Sequence, residues 1–305
     1  MAIVRTLCGQ CAVGCGVRAV TGEGRSLSYE GDPVHPASGG LLCPQSDALT
    51  AMAPLDGRLL HPMLDGQRIS WQRAIGHAAR RLKDVLGRHG PDSVAMHVAG
   101  TLLTEDYYVA NKLMKGFVGS AHIDGPCWRD GGMAIEDGRI RLLWLLGGLP
   151  PVGHPLRAAL AKAPFVILST PSLQPGLPLE GMLALPSPVW IEKDGTITGA
   201  DRLISRQRRL FPLPGEARPD WWSLTQVARS MGWHDAFHYE RPAEIYREHA
   251  RLTAYRNEGE RLLNLRRHAP ISNPAYDELT PWRWGELPFD GGHFLTPDGK
   301  ARLLF

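Results

Sequence analysis

The stretch IRLLWLLGGLPPVGHPLRAALAKAPFVILST (140–170) decides the fold class. Two apolar runs, Ile140–Leu146 and Phe165–Ser169, are strand-length, and they flank a short helical segment, Leu156–Ala163. Strand, helix, strand is the βαβ pattern that builds a parallel sheet. Upstream, DGPCWRDGGMAIEDG (124–138) shows no period and carries four glycines, which marks a junction. Before the junction, Ser70 opens a helix through Trp71, Ile75, Ala78, Ala79, Leu82, Val85 and Leu86, which stops at Gly90–Pro91. Ser93–Ala99 reads as a buried strand, and Thr104 as the cap of a second helix through Tyr107, Ala110, Leu113 and Met114 to Gly116. Downstream come a Pro-rich stretch (171–188), the segment Trp190–Ile197, and helices around 220–231 and 242–251. The tail from Ala269 reads as loop, with five prolines and four glycines. No internal repeat is evident.

The N-terminal part has a different character. Four cysteines are spaced C-x2-C-x3-C-x27-C at Cys8, Cys11, Cys15 and Cys43, with Pro44 directly after the last. Gly9, Gly14 and Gly16 give the first three the backbone freedom to curl around one centre, and Cys43 closes the cage. Thiolates suit iron–sulfur clusters and zinc alike. Three clustered cysteines plus one remote, ending in Cys-Pro, favour a [4Fe-4S] cluster. Structural zinc, which usually takes two separated pairs, is the alternative. Val17–Val20 and Ser26–Tyr29 read as strands around Gly22–Glu23–Gly24, so residues 1–58 form a small β-rich lobe organised by its metal. The expected organisation is this lobe, a first α/β segment at 59–124, the junction at 125–138, and a second α/β segment with a Pro/Gly-rich tail at 139–305. The fold class is α/β, with incomplete layered domains built on parallel strands.

Composition narrows the function classes. The 305 residues are 43% hydrophobic and 21% charged, ordinary for a globular protein. No apolar run reaches membrane-spanning length. MAIVRTLCGQCAVGCGV (1–17) places cysteines where a secretory signal would be apolar, so a cytoplasmic setting is expected. A net charge of +3 and short basic clusters without interleaved aromatics argue against nucleic acid. Cys127 reads as a spare thiol, and His61, His122 and His154 as loop or surface histidines. Glu105–Asp106 complements a helix start, and Glu192–Lys193–Asp194–Gly195 reads as a turn. No G-x-S-x-G, P-loop or G-x-G-x-x-G is present, and no catalytic residue is assigned.

Longer matches accompany the cysteines. CGQCAVGCGV (8–17), GDPVHPASGGLLCP (31–44), GRLLHPML (57–64), TLLTEDYYVANKLMKGFVGSAHID (101–124), EKDGTITGADRLISRQRRLFPLPGEARPDWW (192–222) and FLTPDGKARLLF (294–305) run collinear with one family. In them the chain resembles the molybdopterin oxidoreductases, and within these the catalytic subunit of assimilatory and periplasmic nitrate reductases. The resemblance implies that Cys8, Cys11, Cys15 and Cys43 are cluster ligands and that a bis-pterin-dinucleotide molybdenum reduces nitrate to nitrite. It also implies a ferredoxin-like or flavoprotein electron donor.

The sequence departs from that pattern in ways that bear on the second cofactor. After Asp124 the family continues through a loop with a molybdenum-coordinating Cys and a long central region. Here GPCWRDGGM (125–133) leads into GRIRLLWLLGG (138–148), which resembles a much later segment, and the chain stops where the family's C-terminal pterin domain begins. Cys127 lies near the metal-binding position in unmatched surroundings, so that role is not carried over. Gln45 replaces the Lys or Arg that the family sets between cluster and pterin. Gly147–Gly148–Leu149–Pro150 replaces Gly-Thr/Ser-Asn-Pro, and Thr170–Pro171–Ser172 replaces acidic and Thr positions. The cluster site reads as intact and the pterin site as eroded. Three functions stay open: a shortened nitrate-reductase-like oxidoreductase still holding a molybdopterin, by itself or with another chain completing the site; electron transfer through one cluster on an α/β scaffold; and an inactive, internally deleted relative serving as a partner-dependent or structural module. Beside them stands a zinc-binding structural protein.

Overall fold

The computed structural model describes residues 3–125, 131–259, 261–285 and 298–300, without the side chains of 131–133 and 161. The chain begins with an antiparallel sheet of β1 (Val4–Leu7), β2 (Gly16–Thr21) and β3 (Leu27–Gly31), followed by a short helix α1 (Ala48–Ala51). These are the two strands expected of the lobe, preceded by one more. A tight hairpin, β4 (Met63–Leu64) and β5 (Gln67–Arg68), turns through Asp65 and Gly66 at φ +51° and +77°. Two successive positive φ values suit a two-residue hairpin loop.

Helix α2 (Trp71–His89) starts where expected. The Ser70 hydroxyl accepts from the Arg73 N–H at 3.3 Å, and Gly90 ends the helix at φ +77°. Strand β6 (Val94–Val98) and helix α3 (Thr104–Asn111) follow, the helix widening into π turns over Lys112–Val118. Thr104 is the first helical residue rather than the cap. The helix start is held by the Asp106 carboxylate, which accepts from the Leu103 N–H at 3.1 Å. Next come β7 (Ile123–Asp124), α4 (Gly131–Glu136), β8 (Leu142–Leu146), α5 (Pro155–Ala159), β9 (Val166–Thr170) and β10 (Met182–Pro186).

These strands form one seven-stranded sheet in the order β5-β4-β10-β9-β8-β6-β7. β7, β6, β8, β9 and β10 are mutually parallel, and the β4–β5 hairpin pairs antiparallel on β10. Every residue of β6, β8, β9 and β10 is buried. Val94, Met96, Leu142, Trp144 and Ile167 face one layer, packed with Leu82, Val109 and Leu224 from the helices. Ala95, Leu143, Leu145, Val166 and Leu168 face the other, against Ile135 and Leu156. Helices on both faces are why these strands read as unbroken apolar runs. The sheet draws strands from both sides of the 125–138 stretch.

The rest of the chain closes the structure around the lobe. Trp190–Ile197 divides into a 3-10 turn (Trp190–Glu192) and the start of β11 (Gly195–Thr198), which pairs with β12 (Leu203–Gln207). Helices α6 (Asp220–Ser230) and α7 (Pro242–Ala254) lie where expected. The tail was expected as loop, yet it holds α8 (Asn273–Asp277) and β13 (Trp282–Arg283), which adds to the edge of β12. Tyr276 and Leu279 supply the reason: both bury in a core with Tyr246 and Ile204. Among the described residues no helix is long and apolar enough to cross a membrane.

Candidate metal centre

The first three cysteines occupy the loop between β1 and β2. Leu7 pairs with Gly16, and the Cys8 N–H donates to the Cys15 carbonyl at 2.8 Å, so the loop closes on itself. Gly14 turns the chain at φ +64°. Gly16 is required by contact: a Cβ there would stand 2.2 Å from that of His35. His35 belongs to the segment that carries Cys43 back, and Asp32 anchors its start by donating N–H to the Gly16 carbonyl at 2.9 Å. Cys43 then leads into a 3-10 turn over Pro44–Asp47.

The four thiols share one electrostatic environment. Cys8 is buried, Cys15 half-buried, and Cys11 and Cys43 are exposed. Burial pushes the Cys8 thiol up, and the other three cysteines push it further. Cys15 is raised by burial and by Cys11 and Cys43, with the Ser38 hydroxyl opposing. Burial and the neighbouring sulfurs together disfavour the Cys8 and Cys15 thiolates unless positive charge is placed beside them, which is the condition a metal centre satisfies. Among the described residues, no three His, Cys, Asp or Glu side chains are gathered so as to hold a lone ion. A single zinc needs its sulfurs about 2.3 Å from one point. A four-iron cluster is a larger group held by four thiolates, and this donor set fits it. Cys127 lies outside the described residues.

Glu192 and Lys193, read as part of a turn, and Glu105 and Asp106, read as a helix start, form buried cross-links. Glu192, fully buried, receives Arg58 Nη2 at 2.7 Å and Arg25 Nη2 at 2.5 Å, and so ties the lobe to the turn that follows β10. Lys193 donates to Asp220 at 2.8 Å and lies 3.5 Å from Asp106. Burial lowers the Lys193 pKa, but the two carboxylates more than offset it, and the net shift is upward. Glu105 accepts from the Thr196 N–H, the Thr196 hydroxyl and the Tyr276 hydroxyl, and burial still pushes it up to about 7. Dipole complementation therefore describes Asp106 in part and Glu105 not at all. Local sequence carries no signal for such partners, which come from segments far away in the chain.

Two further places bear on a larger cofactor. A cavity of about 880 Å³ adjoins the cysteine loop, lined among others by Gly9, Cys11, Leu102, Tyr108, Lys115 and Trp190. At the carboxyl ends of the parallel strands, the chain leaves β6 towards β7 on one side and continues from β8 to β9 on the other. Such a switch point is where α/β sheets bind ligands. The loop there holds Gly147 and Gly148 at φ +85° and +119°, and a Cβ on Gly147 would stand 2.8 Å from Leu102 Cδ2. His97, also missed by the sequence reading, is buried beside it with both ring nitrogens unpartnered, and burial pushes it down to about 4. His154 does not sit free in a loop, since its Nδ1 accepts the Leu156 N–H at 3.2 Å at the start of α5. His122 remains partly exposed, 4.0 Å from Asp92.

Residues 1–51 match the family model of the molybdopterin oxidoreductase Fe4S4 domain, and residues 58–130 and 129–230 match that of molybdopterin oxidoreductase. The two stretches of the second match meet at residues 129–130. The nitrate reductase of Klebsiella oxytoca is 24% identical over 553 aligned positions, covering 100% of this chain and 64% of that protein. The nitrate reductase of Shewanella frigidimarina is 33% identical over 188 positions, covering 56% of this chain and 20% of that protein. This chain is a shortened form, since those 553 positions are spanned with 305 residues. Among solved structures, the acetylene hydratase from Pelobacter acetylenicus superposes with a TM-score of 0.68 at 10% identity, over 97% of this chain and 76% of that one, a likeness of fold alone.

Proposed function

Because the chain belongs to the molybdopterin oxidoreductase family, we propose that it is a nitrate-reductase-like electron-transfer protein in which Cys8, Cys11, Cys15 and Cys43 bind one [4Fe-4S] cluster. The family's two domains imply both that cluster and a molybdenum–pterin cofactor. The observation that carries the reading is that three of the thiols sit on a loop that closes from Cys8 to Cys15, and that Cys43, on the segment that returns past Gly16, is close enough to act electrostatically on Cys8 and Cys15. Such a cluster, when bound, supplies one-electron transfer. This chain's residues hold it, bury its Cys8 side and leave its Cys11 and Cys43 side towards solvent, where a donor such as a ferredoxin or flavoprotein has access.

The fit for a pterin dinucleotide is poor at the switch point. Gly147, Gly148, Leu149 and Pro150 offer it no hydrogen-bonding side chain, and Gln45 brings no charge between cluster and pterin. No step is therefore assigned to molybdenum in this chain alone. Nitrate reduction belongs to a second reading, in which another chain completes the cofactor site beside the cavity at Cys11. A cytoplasmic setting, suited to reduced thiols, goes with either.

Anaerobic purification followed by iron, sulfide, molybdenum and zinc analysis tests this. The expected result is a brown protein with about four iron per chain, and with Cys15→Ser lowering the iron content. A colourless protein with one zinc would refute the cluster. Stoichiometric molybdenum with nitrite formation from reduced viologen would favour the second reading.

A further inference from the structure

The cysteine loop has a second wall, and it comes from a segment 183 residues further along the chain. Trp190 is almost fully buried in the core that also holds Leu7, Cys8, Val17 and Ala19. Its indole N–H donates to the Leu7 carbonyl at 2.8 Å, one residue before the first cysteine. Its ring lies against Gly9, one residue after it: a Cβ on Gly9 would stand 2.2 Å from Trp190 Cε2 and 2.3 Å from Cδ2. Cys8 is thus bracketed by two contacts to one side chain. The Trp190 carbonyl accepts from Gln207 Nε2 at 3.0 Å, and Gln207 Oε1 accepts from the Thr6 hydroxyl at 3.0 Å, which ties the same strand a second time. The other limb of the loop rests on the β11–β12 hairpin, which follows the Trp190 turn and carries Gln207. Ala200 donates N–H to the Ala12 carbonyl at 2.8 Å, and a Cβ on Gly14 would stand 2.6 Å from Ile197 Cδ1.

Resting on the cluster reading, the geometry assigns Trp190 as a positioning residue for the iron–sulfur centre, setting the Cys8–Gly9 limb and keeping water from its buried side. A group that orients a ligand and excludes solvent without binding the metal alters both retention of the metal and its redox properties. The β11–β12 hairpin is then a functional half of the cluster lobe.

Trp190→Phe keeps the ring on Gly9 and frees the Leu7 carbonyl. In the full-length, anaerobically reconstituted protein its iron content stays near that of the unaltered chain, while the EPR g-values and midpoint potential of the cluster shift. Trp190→Ala also removes the ring, and iron retained through gel filtration falls at least twofold. Trp144→Phe is the control, because Trp144 is also buried but donates to Ser169 at 3.1 Å inside the large sheet. It lowers the melting temperature and leaves iron, g-values and potential unchanged. The assignment is overturned if both Trp190 variants match the unaltered protein in all three readouts. It is overturned equally if Trp144→Phe moves the cluster signals as much as Trp190→Phe does. An unaltered chain that takes up no iron refutes the cluster reading itself, and this assignment with it.

Discussion

Arg58 and Glu192, 134 residues apart, are joined by two contacts, Nη1 to Oε1 at 3.2 Å and Nη2 to Oε2 at 2.7 Å. Arg25 adds a third on Oε1 and lies with its guanidinium 4.5 Å from the Phe211 ring centre. Removing one partner of a buried ion network leaves the others desolvated and uncompensated, at a cost of about 3–5 kcal/mol. Glu192→Ala is expected to lose stability on that scale in denaturant unfolding. A loss below about 1 kcal/mol, the range of exposed pairs, would mean that the three side chains do not meet in solution.

Lys193 bridges helices α3 and α6 through Asp106 and Asp220. Lys193→Met keeps most of the side-chain volume but leaves two carboxylates facing each other in the interior. The expected loss is again about 3–5 kcal/mol near neutral pH. It should shrink towards pH 5, because burial pushes the Asp220 carboxyl up to about 6 and lets it take up a proton. Adding Asp220→Asn should recover part of it. A melting-temperature deficit that stays constant between pH 5 and 8 would contradict this.

Glu105 titrates near 7 in the folded protein against an ordinary value of 4.5. Between these values the folded state binds more protons than the unfolded one, so stability falls as pH rises through the window and levels off above it. Gln at this position can still accept from the Thr196 N–H and meet the two hydroxyls. Glu105→Gln should therefore flatten the pH dependence between about 5 and 7, measured by urea midpoints at constant ionic strength. An unchanged slope would assign it to other groups.

Gln45 lies two residues after Cys43 on an exposed turn. Given a bound cluster, Gln45→Lys places a positive charge near it and favours the reduced, more negative state. The midpoint potential should rise, and the rise should diminish with added salt because the site is exposed. No change at low salt would place residue 45 outside the cluster's field.

Much of the architecture was legible from local pattern. The helical period from Trp71 to Leu86 with its Ser70 cap, and the apolar runs Ile140–Leu146 and Phe165–Ser169, which fold as strands Leu142–Leu146 and Val166–Thr170, are set by burial of one segment at a time. The Pro-rich stretch hid β10, because its strand character lies in parallel pairing with β9 and in burial under two helix layers rather than in its own punctuation. The α8 turn in the tail was hidden likewise, by a partner core in α7.

By itself the sequence determined the thiol set and its loop: the spacing of Cys8, Cys11, Cys15 and Cys43, the glycines that let the loop curl, and the parallel α/β scaffold behind it. These follow from short-range geometry and periodicity, which neighbouring residues specify. Only the tertiary structure decided that Trp190 brackets Cys8, that Glu192 holds Arg25 and Arg58, and that Glu105 and Lys193 are buried. A carboxylate or an indole reads the same in sequence whether solvated or enclosed. Its role is set by desolvation and by partners that arrive only when distant segments pack.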